Sequence, residues 1–154
     1  MKKFSFRLQS VLDFRKHLEK MAQMEVAKAR KDLMDSERRL KELNDDYDVT
    51  AMGFDVEMSK GISSERFHFF TDYLSSLDSR IEREEQMKTT FSGILREKQS
   101  VLREKSIDRK TIEKLKEKHK NEYYDKMLKD MQKEVDDMVI IRQKREFADG
   151  KSSL

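Results

Sequence analysis

Ala22, Val26, Ala29, Leu33, Ser36, Leu40, Leu43, Tyr47, Thr50 and Phe54 follow one another at alternating steps of four and three. That spacing is the a/d seam of a heptad repeat, the mark of a helix packed against another helix. Upstream, Leu8, Val11, Leu12 and Leu18 extend the seam with one irregular step near Leu18. Such a step changes local supercoil twist without ending a helix. The pattern predicts a first helix over about 5–58, with Ser5 as its cap.

Ser59-Lys60-Gly61-Ile62-Ser63-Ser64 is the one convincing break. Gly61 can take the left-handed conformation that closes a helix. Ser63 or Ser64 can cap the next one, and Glu65 suits its positive end. Gly53 is a weaker break, because Phe54 keeps the register. A second helix is predicted over about 65–146. Phe67, Phe70, Leu74, Leu77 and Ile81 open its stripe, and Met87, Phe91, Ile94, Val101, Ile112 and Leu115 carry it on. Tyr124, Leu128, Met131, Val135 and Met138 end it at heptad spacing, before a frayed tail at 147–154.

These elements define an all-α fold: a single domain, 1–154, made of a long two-helix antiparallel coiled-coil hairpin whose second helix is the longer. A turn at Gly61 makes residues opposite when their numbers sum to about 124. Leu43 then faces Arg80 and Ile81, and Leu8 faces Lys116. Residues after about Leu115 outrun the first helix. The stretch from Tyr123 to Ile141 is among the most apolar in the chain, so an unpaired stripe there implies an external partner.

Composition sharpens this picture. Of 154 residues, 42% are charged and 36% hydrophobic, with four glycines and no proline, which suits few, long elements over a thin seam. The net charge of +3 and the periodicity argue against disorder. The charge is segregated: residues 44–72 hold seven acids and two bases, whereas 103–133 hold eleven bases and seven acids. The closed end is therefore acidic and the open end basic. No cysteine is present, which fits the cytosol, and no segment reaches the ~18 apolar residues of a membrane span. A soluble, cytoplasmic protein without direct membrane insertion is expected, one that a membrane complex can recruit peripherally.

The usual catalytic chemistry is missing. His17, His68 and His119 lie far apart and in no metal-ligand spacing. There is no phosphate loop and no nucleophile turn. A two-helix rod offers no cavity to desolvate its carboxylates. The expectation is a non-enzyme with no cofactor and no metal. Nucleic acid is disfavoured, since the bases of 103–133 are interleaved with acids that repel phosphate. Met127, Met131 and Met138 read as an adaptable binding surface, with the core of a local helix pair as the alternative.

Four places together resemble one family. Phe4-Ser5-Phe6-Arg7-Leu8-Gln9-Ser10-Val11-Leu12-Asp13, with Arg15 and Glu19, resembles the F-x-F-x-L-Q-x-[LV]-L opening of the flagellar export protein FliJ. Gly61-Ile62-Ser63-Ser64, followed by Tyr73, Leu74 and Leu77, resembles that family's turn and second-helix start. Ile112 to Lys118 is similar to its K-L-x-E segment. Met131-Gln132-Lys133-Glu134-Val135-Asp136-Asp137, then Arg142, is similar to its C-terminal element, with Asp137 where Glu is commoner.

The resemblance implies a soluble component of the flagellar type III export apparatus, a stalk in the pore of the hexameric export ATPase. It implies contact with the cytoplasmic domain of the export gate, and with export chaperones. The family's gate-contact surface maps to Leu40, Leu43, Tyr47, Tyr73 and Leu77, with Arg80 and Glu84 at its edge. Leu40, Leu43 and Tyr47 are also seam positions, so core and docking readings compete there. The ATPase-ring contact is expected at Tyr124, Leu128, Met131, Gln132, Lys133, Val135 and Met138. The equivalent stalk of a virulence-type secretion system and a generic coiled-coil scaffold are the alternatives.

Overall fold

The computed structural model describes residues 3–149, with side chains described as far as Glu146. Two helices account for nearly all of it: α1, Gln9–Lys60, and α2, Ser64–Asp149. They comprise 52 and 86 residues, so the second is the longer, as the pattern predicts. The frayed tail expected over 147–154 lies outside the described residues, except for the helical backbone to Asp149.

The turn follows its sequence signals. Gly61 has φ 87° and its N–H donates to the Met58 carbonyl at 3.3 Å. An L-residue with a Cβ is disfavoured in that conformation. Ser63 then caps α2: its Oγ accepts from the Arg66 N–H at 3.3 Å, and its carbonyl accepts from Phe67 at 3.0 Å. At the other end, Ser5 does not cap α1. The helix begins four residues later, where the Gln9 N–H donates to the Phe6 carbonyl.

The chain divides into two units, Met1–Lys16 with Ile107–Leu154, and His17–Ser106. In the second, α1 packs antiparallel on α2 with the expected register. Glu25 meets Lys98 at 3.3 Å and Arg39 meets Glu84 at 3.0 Å, pairs whose numbers each sum to 123. The α1 seam is strictly heptad from Glu19 through Ala22, Val26, Ala29, Leu33, Ser36, Leu40, Leu43, Tyr47, Thr50 and Phe54 to Glu57, all buried or half-buried. No irregular step occurs near Leu18. Glu19 takes the seam position, buried, and accepts a hydrogen bond from Ser106.

The α2 side of that unit departs from the predicted stripe. Its seam is Phe70, Leu74, Leu77, Ile81, Glu84, Lys88, Phe91, Leu95, Lys98, Leu102 and Lys105. Met87, Ile94 and Val101 sit one residue off it and are exposed. Lysines hold seam positions because their stems lie along the apolar surface while the amino groups reach outward. Lys88 and Lys98 end on Glu37 and Glu25.

In the other unit the seam continues with Leu12 and Arg15 on α1 and Arg109, Ile112 and Lys116 on α2. Leu8 and Val11 flank it, exposed. Arg15 donates to Asp108 at 2.6 Å and Lys116 to Gln9 at 2.7 Å. Before α1 the chain is non-helical. Phe6 is buried with its ring edge-on to His119, and the Phe4 ring lies 5.6 Å from that of Tyr123. The intramolecular partner of α2 thus extends to Tyr123, past the predicted limit at Leu115. The cause is geometric: an extended segment advances roughly 3.3 Å per residue against 1.5 Å in a helix, so six residues cover far more of α2.

Candidate protein-interaction surfaces

The last part of α2 is built differently from the rest. Seam positions step from His119 to Tyr123 and onward to Lys126, Asp130, Lys133 and Asp137, all charged beyond Tyr123. The apolar stripe is Tyr124, Leu128, Met131, Val135 and Met138. It starts one residue after the last seam aromatic, so at 3.6 residues per turn it lies roughly 100° or more around the helix. The apolar face therefore changes sides between Tyr123 and Tyr124. Tyr123 turns to Phe4, while Tyr124 opens a new surface.

That surface has no cover among the described residues. Every residue from 128 to 146 is exposed, with Leu128 at 60% and Met138 at 69%. Val139, Ile140 and Ile141 follow, each about half exposed. Gln132 and Lys133 are exposed as well. The seven predicted ring-contact residues thus share one exposed helical segment. Stripe membership is confined to Tyr124, Leu128, Met131, Val135 and Met138.

The predicted gate-contact residues lie in the hairpin seam of the other unit. Leu77 is 0% exposed, and Leu40, Leu43 and Tyr47 are half-buried. Tyr73 alone stands at the rim, 37% exposed, where its hydroxyl donates to Asp46 at 2.8 Å. That bond to a carboxylate is the main reason its phenol is held above the ordinary value of 10.0. Beside it lies a shallow basin of about 390 Å³, lined by Arg39, Glu42, Leu43, Asp46, Arg80, Arg83 and Glu84. Glu84 accepts from Ser36 Oγ at 2.7 Å and from Arg39 Nε at 3.1 Å. The Ser36 bond and then the Arg39 bond hold its carboxyl below the ordinary glutamate value.

A feature that apolar counting misses is the outer surface near the turn. Val49, Met52 and Val56 on α1 and Phe69 on α2 are large, apolar and more than half exposed. Their signal in the sequence is a second apolar spacing outside the a/d positions. For metal chemistry, no group of three or more His, Asp or Glu among the described residues is placed to hold an ion. No helix among them is long and apolar enough to cross a membrane.

Two long helices, packed antiparallel and joined by one tight turn, define a coiled-coil hairpin protein, and each unit leaves an apolar face exposed. The family is given by the sequence: residues 4–146 match the family described as Flagellar FliJ protein, and the chain belongs to that family. Membership associates it with flagellar type III protein export. A YscO homologue of Chlamydia trachomatis is among solved structures similar to it, at 16% identity and a TM-score of 0.49, over 99% of this chain and 100% of that one. No curated protein matches the sequence significantly.

Proposed function

We propose that the chain is a non-enzymatic stalk that couples the hexameric export ATPase to the export gate, at the cytoplasmic face of the membrane, and that also handles export chaperones. One observation carries the reading: the apolar stripe of α2 changes faces at Tyr123–Tyr124 and is then exposed along Tyr124, Leu128, Met131, Val135 and Met138. A stripe that merely continued the hairpin core would keep its side. This one is aimed away from α1, so an outside partner can reach it while Phe4 and Phe6 remain docked. Methionines adapt to the uneven surface of such a partner. Lys126, Lys129 and Lys133 add attraction to an acidic pore, screened over about 10 Å at 0.1 M salt.

In this scheme the closed end meets the gate through Tyr73 and the rim of the basin, with Leu40, Leu43, Tyr47 and Leu77 beneath holding that rim in shape. The test is ATP hydrolysis by the export ATPase with the full chain or with a chain ending at Lys126. That cut keeps Tyr123 and its contact with Phe4. Loss of stimulation with unchanged helicity and unfolding midpoint supports the stalk role. Full stimulation by the shortened chain would refute it.

A further inference from the structure

A glycine within a helix costs roughly 1 kcal/mol relative to alanine. Gly53 bears that cost inside α1, and nothing in the hairpin requires it. Its φ is not positive, and a Cβ built there would meet no atom within 4 Å. Its surroundings suggest another reason. Asp46, Val49, Gly53 and Val56 succeed one another at steps of three, four and three, which makes them one stripe along the helix. The stripe lies on the side where Tyr73 donates to Asp46. On α2 the Phe69 ring stacks on Tyr73, with centroids 6.4 Å apart and planes 4° from parallel. Val49 and Phe69 nevertheless stay 69% and 67% exposed. The result is a half-buried stretch of backbone at Gly53 with open space where a Cβ would stand, between apolar side chains, the arrangement that lets another backbone approach closely.

The charge around the strip selects the visitor. Residues 44–72 carry seven acids against two bases, and one of those bases, Arg66, is already paired with Glu57 at 3.3 Å. We infer that this outer face of the closed end, centred on Gly53, docks a basic amphipathic helix of another protein. The apolar stripe of that helix would lie on Val49, Val56 and Phe69, and its lysines or arginines would reach the acidic rim. The site adjoins Tyr73 through the Phe69 ring and Asp46, but it shares none of the seam residues Leu40, Leu43, Tyr47 and Leu77, and it does not depend on the tail of α2.

The test uses the full chain and a labelled synthetic Leu/Lys peptide of about four helical turns, read by fluorescence anisotropy. Gly53→Gln is the decisive variant. It strengthens helix propensity while its side chain blocks the approach, and an unchanged unfolding midpoint separates that block from a damaged fold. It should weaken peptide binding roughly tenfold or more, the size expected for a central contact. Gly93→Gln, at another open helical glycine, should leave binding unchanged. A Leu/Glu peptide of the same pattern should bind far more weakly than the Leu/Lys one. Equal binding by the Gly53→Gln chain, or equal binding of the two peptides, would overturn the inference. So would salt-sensitive self-association relieved by Gly53→Gln, because the occupant would then be a second copy of this chain.

Discussion

Ser36 and Glu84 place polar atoms where a heptad seam ordinarily places leucine. Ser36 is fully buried, and its hydroxyl and the Arg39 guanidinium both serve the Glu84 carboxylate. A satisfied polar pair in a thin seam penalises slipped registers, because sliding one helix leaves both groups unpaired. The depressed Glu84 ionisation gives the pH dependence a sign. The stabilisation is fully present above the unfolded glutamate value and is lost as pH falls through the lower folded-state value. Glu84→Gln should therefore lower the urea midpoint at neutral pH and converge with the parent chain in acid. Parallel midpoints at every pH would mean that the charge contributes nothing. Glycines separate in the same assay. Gly61→Ala forces an alanine to φ near 87° and should cost roughly 1–2 kcal/mol. Gly93→Ala fills open space in a helix and should gain up to about 1 kcal/mol.

Among the elements, α1 was far more legible than α2. Its seam residues are mostly apolar, so counting hydrophobic steps finds the register directly. Arg15 and Glu19 broke the count only because charged side chains can hold seam positions when paired, here with Asp108 and Ser106. In α2 such substitutions recur at Glu84, Lys88, Lys98, Lys105, Arg109 and Lys116. Apolar spacing there points to Met87, Ile94 and Val101, beside the true seam. The gate-contact residues were legible as a cluster but not as an exposed one, since burial of Leu77 depends on its facing α1. The N-terminal segment hid for another reason: its reach depends on its being extended. Phe6→Ala should remove about 3 kcal/mol from the packing of its own unit. Amide exchange should then quicken over 109–123 and leave 64–100 unaffected. Among the described residues, every side chain from 128 to 146 is exposed, and weak local terms such as the Arg142–Glu146 pair support the helix there. Residues 128–146 should exchange fastest in the free chain and become protected when the export ATPase is added. Protection in the free chain equal to that of 20–55 would mean the tail already has a partner.

At the scale of the whole molecule, the stalk proposal asks one polypeptide to serve two partners, and thermodynamics limits how it can do so. If the ATPase and the gate domain each bind without altering the chain for the other, the protein is a tether that gains only from raised local concentration. If it couples them, the coupling free energy must be the same read from either side. A hairpin whose seam carries Glu84, Lys88, Lys98 and Lys105 in place of leucines is suited to the second role. Its packing is thin enough for small differences in contact energy to matter. We expect the affinity of the chain for the export ATPase to rise in the presence of the gate's cytoplasmic domain, by a factor of about five or more. The affinity for the gate domain should rise by the same factor when the ATPase is present. Titration calorimetry of each pair, with and without the third component, measures both numbers. The chain ending at Lys126 should retain gate binding and lose the enhancement. A factor of one in both directions would leave a tether, and unequal factors would mean that the two partners bind each other in the absence of the chain or that one measurement is not at equilibrium.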